Sequence, residues 1–80
     1  MRLDKFLKVS RLIKRRTLAD EACSSGHVSV NGAVAKSSRD VKVGDTIEIT
    51  FGQRKTRIEV LAVQDNVSKD AAAGMYREIT

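Results

Sequence analysis

The stretch Val28-Ser29-Val30-Asn31-Gly32-Ala33-Val34-Ala35 decides the fold. Two short apolar runs flank Asn-Gly, the dipeptide best suited to the two positive-φ positions of a tight hairpin turn. Downstream, Val41 and Val43 lead to the turn signal Gly44-Asp45, and Thr46-Ile47-Glu48-Ile49-Thr50 then alternates apolar and polar residues, the period of a half-buried strand. After a turn region at Gly52-Gln53-Arg54-Lys55, residues 57–63 predict a last strand. Residues 64–69 read as a polar loop. Residues 70–79 favour a short helix through Ala71, Ala72 and Ala73, which Gly74 weakens.

Upstream of the hairpin the period changes to that of a helix. Leu3, Phe6 and Leu7, followed by the small Ser10, form one narrow apolar stripe, with Lys5, Lys8 and Arg11 projecting from other sides of the same helix. Asp4 stands four residues before Lys8, the favourable order for a helical ion pair. A second helix is expected to begin at Thr17 as N-cap, with Asp20 in a capping-box-like position and Glu21 adding a second acid. Leu18, Ala19, Ala22 and Cys23 form its apolar side, and Gly26 suits a left-handed end. Neither helix is long enough to persist alone in water, so both must pack on the strands. The expected fold class is therefore α+β: two short N-terminal helices packed on a small, mostly antiparallel sheet. Residues 1–64 are expected to form the domain with an appended strand, and residues 65–80 a C-terminal tail with a short helix.

Eighty residues suit one domain with a limited core. No stretch approaches a membrane span, and the charged N-terminus has no secretory apolar segment. One cysteine cannot form an internal disulfide, which suits a reducing cytoplasm, and one histidine with one cysteine falls short of a zinc site. The chain has no nucleophile elbow, paired-carboxylate motif, P-loop or dinucleotide fingerprint. His27 and Cys23 read as surface and buried structural residues. No enzyme activity, cofactor or metal is expected.

The charge distribution points to a polyanion. Residues 1–16 hold seven Lys or Arg against one Asp, whereas the remainder holds eight against nine acidic residues. The excess positive charge, +5 overall, therefore lies in the first fifth of the chain. Arg15 and Arg16 precede the expected helix start, where backbone N–H groups point outward, so a phosphate there would meet arginine forks and amide donors together. Lys8 and Arg11 extend this surface, and Lys36 and Arg39 border it. Such a pocket fails if the arginines engage the protein's own carboxylates. Arg54, Lys55 and Arg57 read as a solvated turn. Phe6 reads as core, and Phe51 and Tyr76 lie far along the chain, so a stacking platform for single strands is missing. Phosphate contacts on folded RNA fit better.

Taken in order, Arg2-Leu3-Asp4-Lys5-Phe6-Leu7, Arg11, Arg16-Thr17-Leu18-Ala19, Gly26-His27-Val28-Ser29-Val30-Asn31-Gly32 and Val43-Gly44-Asp45 resemble the RNA-binding domain named after small-subunit ribosomal protein S-four, the αL motif. Gly52-Gln53-Arg54 and Met75-Tyr76 are similar to the RqcP branch of the heat-shock ribosome-binding family. The resemblance implies a factor of bacterial ribosome-associated quality control. Such a factor binds large-subunit rRNA and peptidyl-tRNA and assists the partner RqcH in alanine tailing. It also implies an RNA-facing surface at Arg2, Lys8, Arg11, Arg15 and Arg16, to which the residue-level reading adds Lys36. Many relatives carry Ser or Thr where Arg15 stands. Two other readings remain open from sequence: a general binder of structured RNA, as in ribosome assembly, and a basic-helix module for an acidic protein or a membrane.

Overall fold

The apolar stripe at the N-terminus folds as expected into helix α1, Leu3–Val9, with Leu3, Phe6 and Leu7 fully buried. The computed structural model describes residues 1–65 and 67–79. Arg11 is not on this helix. It follows the C-cap Ser10 in the left-handed region (φ 66°), and its amide donates to the Lys8 carbonyl at 3.0 Å. A left-handed residue at this place satisfies a terminal helix carbonyl and reverses the chain, a task usually given to glycine. Ile13, whose amide donates to the Leu7 carbonyl, then folds back into the core.

Helix α2 spans Arg16–Ser24, so it starts before the expected cap. Arg15, extended at φ −129° and ψ 142°, is the N-cap and has no side-chain bond, while Thr17 is exposed within the first turn. Either start buries the same i, i+3, i+4 set, Ala19, Ala22 and Cys23, so packing does not favour the threonine cap. An ion pair from Arg16 to α1 anchors the first turn in its place. Gly26 (φ 77°) ends the helix as expected, with the His27 amide closing on the Ala22 carbonyl.

Five strands follow the helices into one wholly antiparallel sheet, ordered β2-β1-β3-β4-β5. Strands β1, Val28–Val30, and β2, Ala33–Val34, meet at Asn31 (φ 53°) and Gly32 (φ 86°), the two positive-φ residues the hairpin requires. The Asn31 side chain accepts from the Thr46 amide and donates to Asp45, pinning the hairpin to the next turn. Strands β3, Thr46–Phe51, and β4, Arg54–Val60, pair in the register Ile47↔Ile58. The turn between them is shorter than expected. Gly52, at φ 59°, lets the chain reverse at Gly52-Gln53, so Arg54 and Lys55 are strand residues opposite Phe51 and Thr50. Val28, Val30, Ile47, Ile49, Ile58 and Val60 share the buried face under the helices.

The C-terminal segment departs most from the sequence reading. Helix α3 is short, Lys69–Ala73, and the Ser68 hydroxyl caps it by accepting from the Ala71 amide at 3.2 Å. Residues beyond Gly74 do not continue the helix. Met75 is fully buried in the core, and β5, Tyr76–Glu78, pairs with β4 in the register Val60↔Tyr76. Leaving the helix at Gly74 turns the apolar Met75 into the core, away from the exposed position a further helical turn would give it. Asn66 and Thr80 lie outside the described residues.

Candidate RNA-binding face

The first turn of α1 takes its donors' partners from a distant loop. The Leu3 amide donates to the Arg39 carbonyl and the Asp4 amide to the Ser37 carbonyl, while the N-terminal ammonium meets Asp40 at 2.8 Å. These bonds lay residues 36–40 against the start of α1. As a result Lys36 and Arg2 line one surface concavity together with Val34 and Ser37.

Arg2 also borders a second concavity, with Asp4, Arg16, Thr17 and Asp20. The side chain of Asp4 is only 6% exposed, and its carboxylate organises this end of the domain. Its oxygens accept from Arg2 Nε at 3.2 Å and Nη2 at 3.4 Å, from Arg16 Nε at 3.4 Å, and from the Lys5 amide at 2.8 Å. Burial pushes the Asp4 carboxyl up, but the hydrogen bonds from Arg2, Arg16 and the Lys5 amide outweigh it and hold it below its ordinary value. The expected ion pair with Lys8 is replaced by these bonds.

The pocket drawn from sequence is therefore corrected. Arg16 does not stand free beside the helix mouth but is engaged by the protein's own carboxylate. Engagement is partial, because both arginine side chains remain about half exposed, at 53% and 50%. Of five N–H donors per guanidinium, Arg2 spends two and Arg16 one. The Arg2–Asp4–Arg16 group keeps one net positive charge and presents the remaining donors outward. Arg15 is exposed and, among the described residues, has no carboxylate within ion-pair distance. The amides of Arg16, Thr17 and Leu18 have no acceptor among the described residues, as the start of a helix leaves them.

Lys8 and Arg11 belong to a third concavity, which they share with Lys14, Val9, Ile13, Asp65 and Val67. All three cations are exposed and unpaired among the described residues, since Asp65 is taken by Lys5 at 2.9 Å. The expected set is thus divided. Arg2, Arg16 and Lys36 come together through Asp4 and the 36–40 loop. Lys8 and Arg11 form a separate group, and Arg15 follows Lys14 on the connecting turn.

Sequence reasoning missed two features of this end of the domain. Asp4 read as an ordinary helix-surface acid, although its place beside the apolar stripe was a signal of burial. Phe51, remote in sequence, lines a groove with Lys14, Leu18 and His27. Cys23 is buried as expected. Burial pushes its thiol up to about 11, with Asp4 and Asp20 adding to the effect, so it stays protonated near neutral pH.

Residues 1–47 match the S4 domain. Over its 80 residues the chain is 54% identical to the RQC P-site tRNA stabilizing factor of Streptococcus pneumoniae, covering 91% of that protein. The chain belongs to the S4-domain family, among the RQC P-site tRNA stabilizing factors. The factor of that name from Bacillus subtilis is 55% identical over 76 residues, which are 95% of this chain and 88% of the relative. Among solved structures, the trimeric structure of Vibrio cholerae Heat Shock Protein 15 superposes with a TM-score of 0.90 at 34% identity, covering 99% of this chain and 81% of that one. The resemblance noted in the sequence is borne out, and so is the α+β class. Among the described residues, no helix of this S4-domain chain is long and apolar enough to cross a membrane.

Proposed function

We propose that this chain is a cytoplasmic RNA-binding factor of bacterial ribosome-associated quality control. It binds the large ribosomal subunit holding peptidyl-tRNA, touching both rRNA and tRNA, and supports alanine tailing of stalled chains by RqcH. It acts by holding RNA in place rather than by making or breaking bonds. The contacts are carried by Arg2, Lys8, Arg11, Arg15, Arg16 and Lys36. The names of its relatives support the tRNA and quality-control assignment.

One contrast supports the location of the site. Most cations on the sheet have an acidic partner: Lys55 and Arg57 share Glu48 at 3.1 and 3.2 Å, and Arg77 meets Glu59 at 2.6 Å, which leaves Arg54 as the strand cation without one among the described residues. Lys8, Arg11, Lys14 and Arg15 have no such partner among the described residues. Uncompensated positive charge is what releases counterions when phosphates bind. With Asp4 offsetting one of six cations, about five phosphates are engaged, for a log–log salt slope of roughly −4 to −5. A membrane-docking role is disfavoured because the apolar side of α1 is wholly used in the core.

The test is crosslinking in cells followed by sequencing of the attached RNA. Crosslinks concentrated on large-subunit rRNA and tRNA are expected. Crosslinks confined to assembly-precursor RNA would replace this reading with a general assembly role.

A further inference from the structure

We infer that Asp4 is a positioning residue for RNA: its buried carboxylate fixes the Arg2 and Arg16 guanidiniums in one orientation, so that an acid strengthens the grip on a polyanion. This rests on the RNA-binding reading above and deepens it. The two arginines come from separate elements, Arg2 as the N-cap of α1 and Arg16 as the first residue of α2. Asp4 is the group that bonds to both. Each guanidinium turns one edge to the carboxylate and is about half exposed, leaving donors directed away from it.

Two effects of removing the Asp4 charge oppose each other, and their sizes decide the sign. Deleting a negative charge several ångströms from a phosphate at the edge of the solvent tightens binding by about threefold. Ordering one rotamer-rich side chain at an interface changes an equilibrium by ~2- to 10-fold. With an amide in place of Oδ2, Arg16 loses its bond and Arg2 keeps only its Nε bond to the remaining oxygen. This loosening outweighs the field effect, so the net result is binding weaker by roughly fivefold. Folding does not demand the charge, because an asparagine oxygen still accepts from the Lys5 amide.

Asp20 provides the control. It borders the same concavity as Arg2, Asp4 and Arg16 but, among the described residues, bonds to neither arginine. Affinity for a tRNA transcript is measured for Asp4→Asn, Asp20→Asn and Arg16→Ala, and for Asp4→Asn in an Arg2→Ala/Arg16→Ala background. Asp4→Asn is expected to weaken binding about fivefold, Asp20→Asn to leave it unchanged or slightly tighter. In the double-alanine background Asp4→Asn is expected to lose its effect or reverse it, which a merely structural role would not produce. If Arg16→Ala weakens binding while Asp4→Asn does not, the positioning role is overturned and the RNA face stands. If Arg16→Ala has no effect, the assignment of Arg16 to the RNA face fails first. A readout without any variant is the Nε–Hε resonances of Arg2 and Arg16 in the intact protein. Slow solvent exchange supports the clamp, and exchange as fast as that of a free arginine overturns it.

Discussion

Replacing Arg11 with glycine should make the protein more stable and a poorer RNA binder at once. Arg11 closes α1 at φ 66°, a conformation that costs an L-residue with a Cβ roughly 1–2 kcal/mol. Glycine removes that cost but adds about 0.4–1 kcal/mol of chain entropy in the unfolded state. The difference is a gain of roughly 0.5–1 kcal/mol, or about 2–8 °C in melting temperature for a domain of this size. The same change removes one of the three cations around the Lys8–Arg11–Lys14 concavity. Salt titration with a tRNA transcript should then show a log–log slope shallower by about one. Arg11→Ala separates the two effects, since it loses the charge but keeps the strained backbone, and its melting temperature should not rise. A lower melting temperature for Arg11→Gly would refute the strain argument, and unchanged affinity would remove Arg11 from the RNA face.

Met75→Ala should destabilise the fold by about 2–4 kcal/mol in urea titration, because the side chain is fully buried; an unaltered midpoint would mean the C-terminal segment is not part of the core. Ser68→Ala should cost about 0.5–1 kcal/mol through the lost α3 cap, whereas Thr17→Ala should stay within ~0.5 kcal/mol because Thr17 caps nothing. Thermal melts of the pair check both, and the reverse ranking would contradict the helix boundaries. Cys23 has a folded pKa pushed up to about 11 from 9.0. The unfolded chain therefore loses this proton first, and the stability contribution, full below about pH 9, falls as pH rises towards 11. Urea midpoints at pH 8 and pH 10.5 should drop less in Cys23→Ala than in the natural chain, and equal drops would be inconsistent with a raised thiol.

Much of the fold was legible because its signals are local. Leu3, Phe6 and Leu7 announce α1 by spacing, Asn31-Gly32 fixes the hairpin, and Thr46–Thr50 alternates as a one-face-buried strand must. The misread places are those where tertiary context decides. Three adjacent alanines favour helix, but whether Met75 and Tyr76 continue it depends on an open edge of β4 that local propensity does not register. Thr17 is a better intrinsic cap than Arg15, yet Asp4 anchors Arg16 across the interface between α1 and α2. The candidate face was legible as charge and illegible as geometry. Seven cations in sixteen residues are countable, but their partition follows from a carboxylate twelve residues from Arg16 and from a loop at 36–40 stitched to α1. Phe51 reaches the α2 groove for a similar reason, through β1–β3 pairing.

The most direct test of the account is an amide chemical-shift titration of the intact, isotope-labelled protein with a tRNA transcript at two salt concentrations. The expected perturbations concentrate on Arg2, Lys8, residues 11–17 and Lys36 and fade at the higher salt. Perturbations centred instead on the charge-paired outer residues of β3, β4 and β5, with the N-terminal residues unmoved, would contradict it.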